Sequence, residues 1–159
     1  MTKICTEAVN YIIRWTNEYN QDKDFAEQIS MTCKRVQKLL YFSEIEYMKR
    51  NNGQSMFTDE FYAWPSGPVI PSVYHKFMPT QCYRGLKPID TDSYLTKKTI
   101  TAIDYVLNET KNMDTLDFVD LTKIYGGPWQ HAYNADDPEH EQIISKVIMR
   151  KFYKTRRIF

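Results

Sequence analysis

Histidine, cysteine and glycine are scarce in this chain, which carries three, three and five of them among 159 residues. Cys5, Cys33 and Cys82 are odd in number, far apart and without a C-x-x-C pair, so neither a disulfide framework nor a zinc ribbon is indicated. His75, His131 and His140 fall in three separate segments with no metal-binding spacing, so a metal site would have to be assembled from distant parts of the chain. Gly67 and the Gly126-Gly127 pair lack the glycine spacing and the following Lys-Ser/Thr of a phosphate loop. No apolar run approaches the roughly 18 residues needed to span a bilayer. The first residues carry charge (Lys3, Glu7) without an apolar leader core, and a cytoplasmic protein is expected. An excess of one charge sign is missing too: 21 basic and 20 acidic residues leave a net +1, and the global electrostatic reason to bind nucleic acid is absent.

Apolar and aromatic side chains are plentiful instead. Hydrophobic residues make up 42% and aromatics 14%, enough for a packed core in a chain of this length, while 26% charged residues and a mean hydropathy of −0.58 suit a soluble surface. With no internal repeat, low-complexity run or linker in view, residues 1–159 are expected to form a single domain.

The chain is organised around Ser30 to Pro71. Val36, Leu39, Leu40, Tyr41, Phe42, Ile45, Tyr47 and Met48 recur at a helical period with only single charges interrupting them. A helix that is apolar on most sides is expected at the centre, surrounded by others. Ser30 is placed to cap its start, Lys49 and Arg50 to offset the negative end of its dipole, and Gly53 to stop it. Phe61-Tyr62-Ala63-Trp64 then reads as a short strand, and Pro65, Gly67, Pro68 and Pro71 forbid a helix or a central strand from running on.

Around this stretch, the spacing predicts an amphipathic helix from Thr2 to about Tyr19 and a short helix opened by Pro71 and stopped by Pro79. Another is predicted from Thr96 to Thr110, and one capped by Asp114 that carries Leu116, Val119 and Ile124. Pro128 opens a turn of helix bearing Trp129. Asp137-Pro138 is read as the cap and first position of a last helix containing Ile143, Ile144, Val147, Ile148 and Phe152. Gly85 to Ile89 is expected to pair with Phe61 to Trp64. The fold class is therefore mainly α, a compact helical domain around a buried central helix with a small two-stranded β ribbon, which needs the helices beneath it to be stable.

Catalytic chemistry is thinly represented. Cys33 and His75 are the minimum for a nucleophile and base, but an inert small hydrophobe and a lone surface histidine are the commoner roles. Asp114, Asp117 and Asp120 lie three apart on one flank, which a solvated helix face explains more readily than a metal row does. The last 14 residues hold Lys146, Arg150, Lys151, Lys154, Arg156 and Arg157 with no carboxylate, preceded by Asp136, Asp137, Glu139 and Glu141. A helix whose ends complement its own dipole accounts for this, and a binding tail is the alternative. No cofactor or small-molecule substrate is indicated, and an interaction protein is favoured over an enzyme.

The order KLLYFSEIEYMKRNNG, FYAW, GPVIPSVYHKF resembles the signature of the Panacea domain, found in small proteins of phages and mobile elements. Ala8 to Ile13, Leu121-Thr122, Pro128-Trp129 and Ile143 to Phe152 are similar to its other landmarks, while Pro65-Ser66 departs from the polar-then-aromatic pair usual before Gly-Pro-Val. The resemblance implies an antitoxin that neutralises a co-encoded toxin protein by direct binding. An adaptor delivering a bound partner to a protease, or a nucleic-acid-binding regulator using the basic tail, are the alternatives. Rigid aromatics beside sharp turns bury much area at small entropic cost. The candidate partner-binding residues are accordingly Trp64, Ser66, Val69, Ser72 and Tyr74.

Overall fold

In the computed structural model, which describes residues 1–140 and 142–159, the central helix α2 spans Cys33–Arg50. α1 (Lys3–Asn20), α3 (Pro71–Phe77), α4 (Lys97–Thr110), α5 (Thr115–Thr122) and α7 (Lys146–Tyr153) all pack against it or its neighbours, and α6 (Pro128–Ala132) sits against the sheet. Val36, Leu39, Leu40, Tyr41, Phe42 and Ile45 are all within 1% of full burial, so α2 is the axis of the core. Phe42 stacks on Phe118 at 5.4 Å, and Tyr41 meets Phe61 edge-on at 5.5 Å. These contacts tie the axis to α5 and to the sheet.

The helix starts two residues later than Ser30, because Thr32 is the residue whose hydroxyl accepts from Arg35 N at 3.2 Å. It ends as expected. Asn51 N and Gly53 N return to Tyr47 O and Met48 O, with Asn52 and Gly53 in the left-handed region that glycine tolerates best. Lys49 does not serve its own helix end. Its ammonium donates to Tyr153 O and Arg156 O, at 2.7 and 2.6 Å, and caps α7 instead.

The ribbon has three antiparallel strands in the order β2-β1-β3, with β1 at Phe61–Trp64, β2 at Gly67–Val69 and β3 at Ile143–Ile144. Pro65 and Ser66 form the tight turn between β1 and β2, and Trp64 pairs with Gly67. Pro68 is accommodated because β2 is an edge strand. Gly85 to Ile89 is not the partner of β1. Gly85 bridges to Met31, Leu86 N donates to Met31 O at 2.9 Å, and the Asn10 amide brackets Ile89 N and O, which moors that segment to α1 and the start of α2.

The last helix is also shorter than its apolar spacing suggests. Ser145, not Asp137, caps it, and Ile143-Ile144 fill the open edge of β1 in an out-in pattern that a strand produces and a helix does not. The first turn of α7 therefore holds no acidic residue. Asp136, Asp137 and Glu139 lie in a turn-rich loop pinned by Asn134, and Glu141 lies outside the described residues. The cap at Asp114, the start of α4 beside Thr96 and the helix-opening prolines at 71 and 128 fall where the sequence places them.

Candidate functional site

The β1–β2 turn, α3 and the N-terminal half of α2 enclose a groove of about 450 Å³, closed on its far side by Thr115 and Leu116 of α5. Four of the five residues singled out from the sequence line it: Trp64, Ser66, Val69 and Tyr74. The fifth, Ser72, is half-buried on α3 and does not line the groove. Val69 is 3% exposed, so it shapes the wall and offers little area of its own.

Backbone punctuation sets this geometry. Gly67 adopts φ +103°, and a Cβ there would lie 2.8 Å from Thr122 Oγ1 and 3.0 Å from Lys38 Nζ, so only glycine lets the turn settle onto α2 and α5. Trp64 and Tyr74 meet edge to face at 5.5 Å. Trp129 is buried rather than a surface aromatic, and its indole N–H donates to Trp64 O at 2.8 Å. Lys123 lies over the Trp129 ring at 4.9 Å and donates to Pro65 O. The aromatic corner is thus held from behind by α5 and α6.

Polar side chains of α2 secure the other wall. Gln37 exchanges two hydrogen bonds with the backbone of Ile70, at 2.9 and 3.1 Å, as a neighbouring strand would. Lys38 is fully buried and donates to Pro68 O at 2.9 Å. Gln81 accepts from Cys33 N at 2.8 Å. None of the ion pairs among the described residues includes Lys38. Burial, reinforced by the positive charges of Lys123 and Lys34, lowers its pKa to about 7. The indole N–H of Trp64 is likewise buried with no hydrogen-bond partner among the described residues.

Sequence reasoning missed Lys38, Lys34, Gln37, Met78 and Leu116 as groove residues. The available signal was the adjacent pair Gln37-Lys38 between Val36 and Leu39 of the helix read as apolar on most sides, where a charge has to find a buried partner or face a cavity. Cys33 does reach the groove but His75 does not line it, so the structure does not assemble the pair as a catalytic dyad there. Burial also pushes the Cys33 thiol up to about 11, away from the thiolate that a nucleophile needs near neutral pH. Among the described residues, no group of three or more His, Cys, Asp or Glu side chains is disposed to hold a metal ion, and no helix is long and apolar enough to cross a membrane.

The fold is thus a helical scaffold carrying an aromatic groove. The chain belongs to the antitoxin SocA-like, Panacea domain family, whose model matches residues 36–130. That span contains α2 from Val36 on, the β1–β2 hairpin, α3, α4, α5 and the first residues of α6, and hence every residue lining the groove from Gln37 to Leu116. Only Thr32, Cys33 and Lys34 of the lining precede it. The first helix and the closing Ile143 to Phe152 segment, similar to family landmarks in the sequence, lie outside the matched residues. No curated protein and no solved structure matches the chain significantly.

Proposed function

We propose that this protein is an antitoxin that neutralises a co-encoded toxin by binding it directly, without catalysis, and that the groove between Trp64, Tyr74 and α5 is part of the contact surface. Membership of the antitoxin-like Panacea family carries the reading. The groove supports its location. Trp and Tyr are the residue types that dominate interface energetics, and here both are already fixed by backbone and ring contacts before a partner arrives. Each rotamer-rich side chain that must be immobilised on binding costs roughly 0.5–1.5 kcal/mol, so a stiff corner retains more of its contact energy. Met78 and Leu116 are 38% and 68% exposed at the rim, an apolar fringe around the aromatic floor.

Co-expression with the product of the reading frame adjacent to the gene tests the proposal. The wild-type protein restores growth and co-purifies with the toxin. Ser66→Glu, which sets a charge on the groove wall, abolishes both while the far-UV spectrum and melting stay unchanged; Ser72→Glu, set back from the groove, has the smaller effect. Growth rescue that survives Ser66→Glu places the interface elsewhere, and failure of the wild-type protein to bind the neighbouring product defeats the antitoxin reading itself.

A further inference from the structure

The groove is apolar in most of its lining, yet among the described residues the charged ones in that lining are both lysines, Lys34 and Lys38, with no aspartate or glutamate. Lys123, whose charge acts on Lys38 more strongly than that of Lys34, adds a third cation. The carboxylates of α5 do not compensate: Asp114 is spent capping its own helix at Leu116 N and acts on Arg35, not on Lys38. An ammonium has three protons to donate, and Lys38 directs one to Pro68 O. Trp64, which also lines the groove, has an indole N–H that is buried and without an acceptor among the described residues. Buried donors left in this state are costly, and an arriving acceptor recovers that cost.

We infer that the groove is an acceptor-selective peptide site, and that its occupant is a segment of the partner protein which places an aspartate or glutamate carboxylate against Lys38 and the Trp64 indole while apolar neighbours rest on Met78, Tyr74 and Leu116. Charge complementarity selects this occupant: a purely apolar segment leaves the lysines unanswered, and a basic one meets like charge in a region of low dielectric. An incoming carboxylate also returns Lys38 to its protonated form, which burial and its lysine neighbours oppose in the free protein. The inference rests on the antitoxin reading only for the origin of the segment, since the site chemistry belongs to the groove.

The test therefore uses no toxin. The full chain, labelled with nitrogen-15, is titrated with 4-phenylbutyrate, with its neutral amide and with phenyl phosphate. The Trp64 indole N–H resonance is the readout, assigned among three tryptophans with Trp64→Phe. The carboxylate shifts that resonance and binds about tenfold more tightly than the amide, the margin expected of a charge-assisted hydrogen bond. Lys38→Met removes the margin while leaving the weak apolar binding of both probes. Because Lys38→Met also deprives Pro68 O of its donor, Lys34→Met provides a second variant, which narrows the margin without touching that bond. Equal affinity for carboxylate and amide, or a Trp64 resonance unmoved by either, overturns the inference. Tighter binding of phenyl phosphate overturns it in favour of a phosphate-bearing ligand, and shifts that depend on protein concentration without probe do so in favour of a second copy of this chain. Saturable, Lys38-dependent carboxylate binding with a failed co-expression rescue keeps the site and discards the toxin as its source.

Discussion

Lys146 stands in the basic C-terminal segment, yet it is 15% exposed and its ammonium lies 3.0 Å from Glu44 Oε1 on the fully buried flank of α2. It also donates to Phe57 O and sits over the Phe57 ring at 5.0 Å. Replacing it with methionine keeps most of the volume and removes the charge. At 3.0 Å and an effective dielectric of 20, Coulomb attraction is worth about 5 kcal/mol before desolvation is subtracted. What the variant loses is set by the charge it strands: Glu44 keeps its bond from Met56 N at 2.8 Å but has no cation. Breaking a buried pair in this way costs about 3–5 kcal/mol. In a domain of this size the melting temperature then falls by roughly 10 °C.

Acidity supplies an internal control. Burial holds the Glu44 pKa above the ordinary carboxylate value, and Lys146 is the first of the groups pulling it back. Without Lys146 it rises further. A carboxyl whose folded pKa is raised is most favourable below its unfolded value and loses that advantage as pH rises through the folded one. The deficit of Lys146→Met against wild type therefore widens from pH 5.5 to pH 8 in urea titrations. The double variant with Glu44→Gln recovers part of the loss, because no buried charge is left alone. A deficit under about 1 kcal/mol that does not vary with pH, with no recovery in the double variant, refutes the view that α7 is latched to the core through this pair.

Lys38→Met also loses ground to wild type as pH rises, here because wild type gains: with a folded pKa near 7 and an unfolded one near 10.4, wild-type stability gains about 1 kcal/mol per pH unit between those values, and the variant lacks that slope in urea midpoints taken at pH 7 and 9. Gly67→Ala forces a side chain into a left-handed turn against Thr122 and Lys38 and costs roughly 1–3 kcal/mol, measured by thermal unfolding; a neutral result means that the turn relaxes away from α2. Leu40→Ala, at full burial on the axial helix, costs about 2–5 kcal/mol by chemical denaturation, and a loss well under 1 kcal/mol contradicts the central placement of α2.

Local chemistry in the sequence determined most of the helices, the cap at Asp114 and the identity of the axis, because period, capping side chains and proline positions act within a few residues. Thr96, Asp114, Pro71 and Pro128 needed no tertiary information, nor did the apolar character of Val36 to Met48. The aromatic corner was also legible, since Trp64, Pro65, Gly67 and Tyr74 are separated by one tight turn. The tertiary structure alone decided what the polar residues of α2 do. Arg35 donates to Thr110 O and Met113 O, Gln37 braces Ile70, Lys38 holds Pro68 and Glu44 faces Lys146, all with partners that periodicity cannot locate. Strand pairing was misassigned for the same reason. Ile143-Ile144 and Gly85 to Ile89 each suit an extended edge by composition, and only the space beside β1 selects the first. A buried charge or an open ladder is satisfied by whatever the fold brings within about 3 Å, a distance in space that the chain order does not encode.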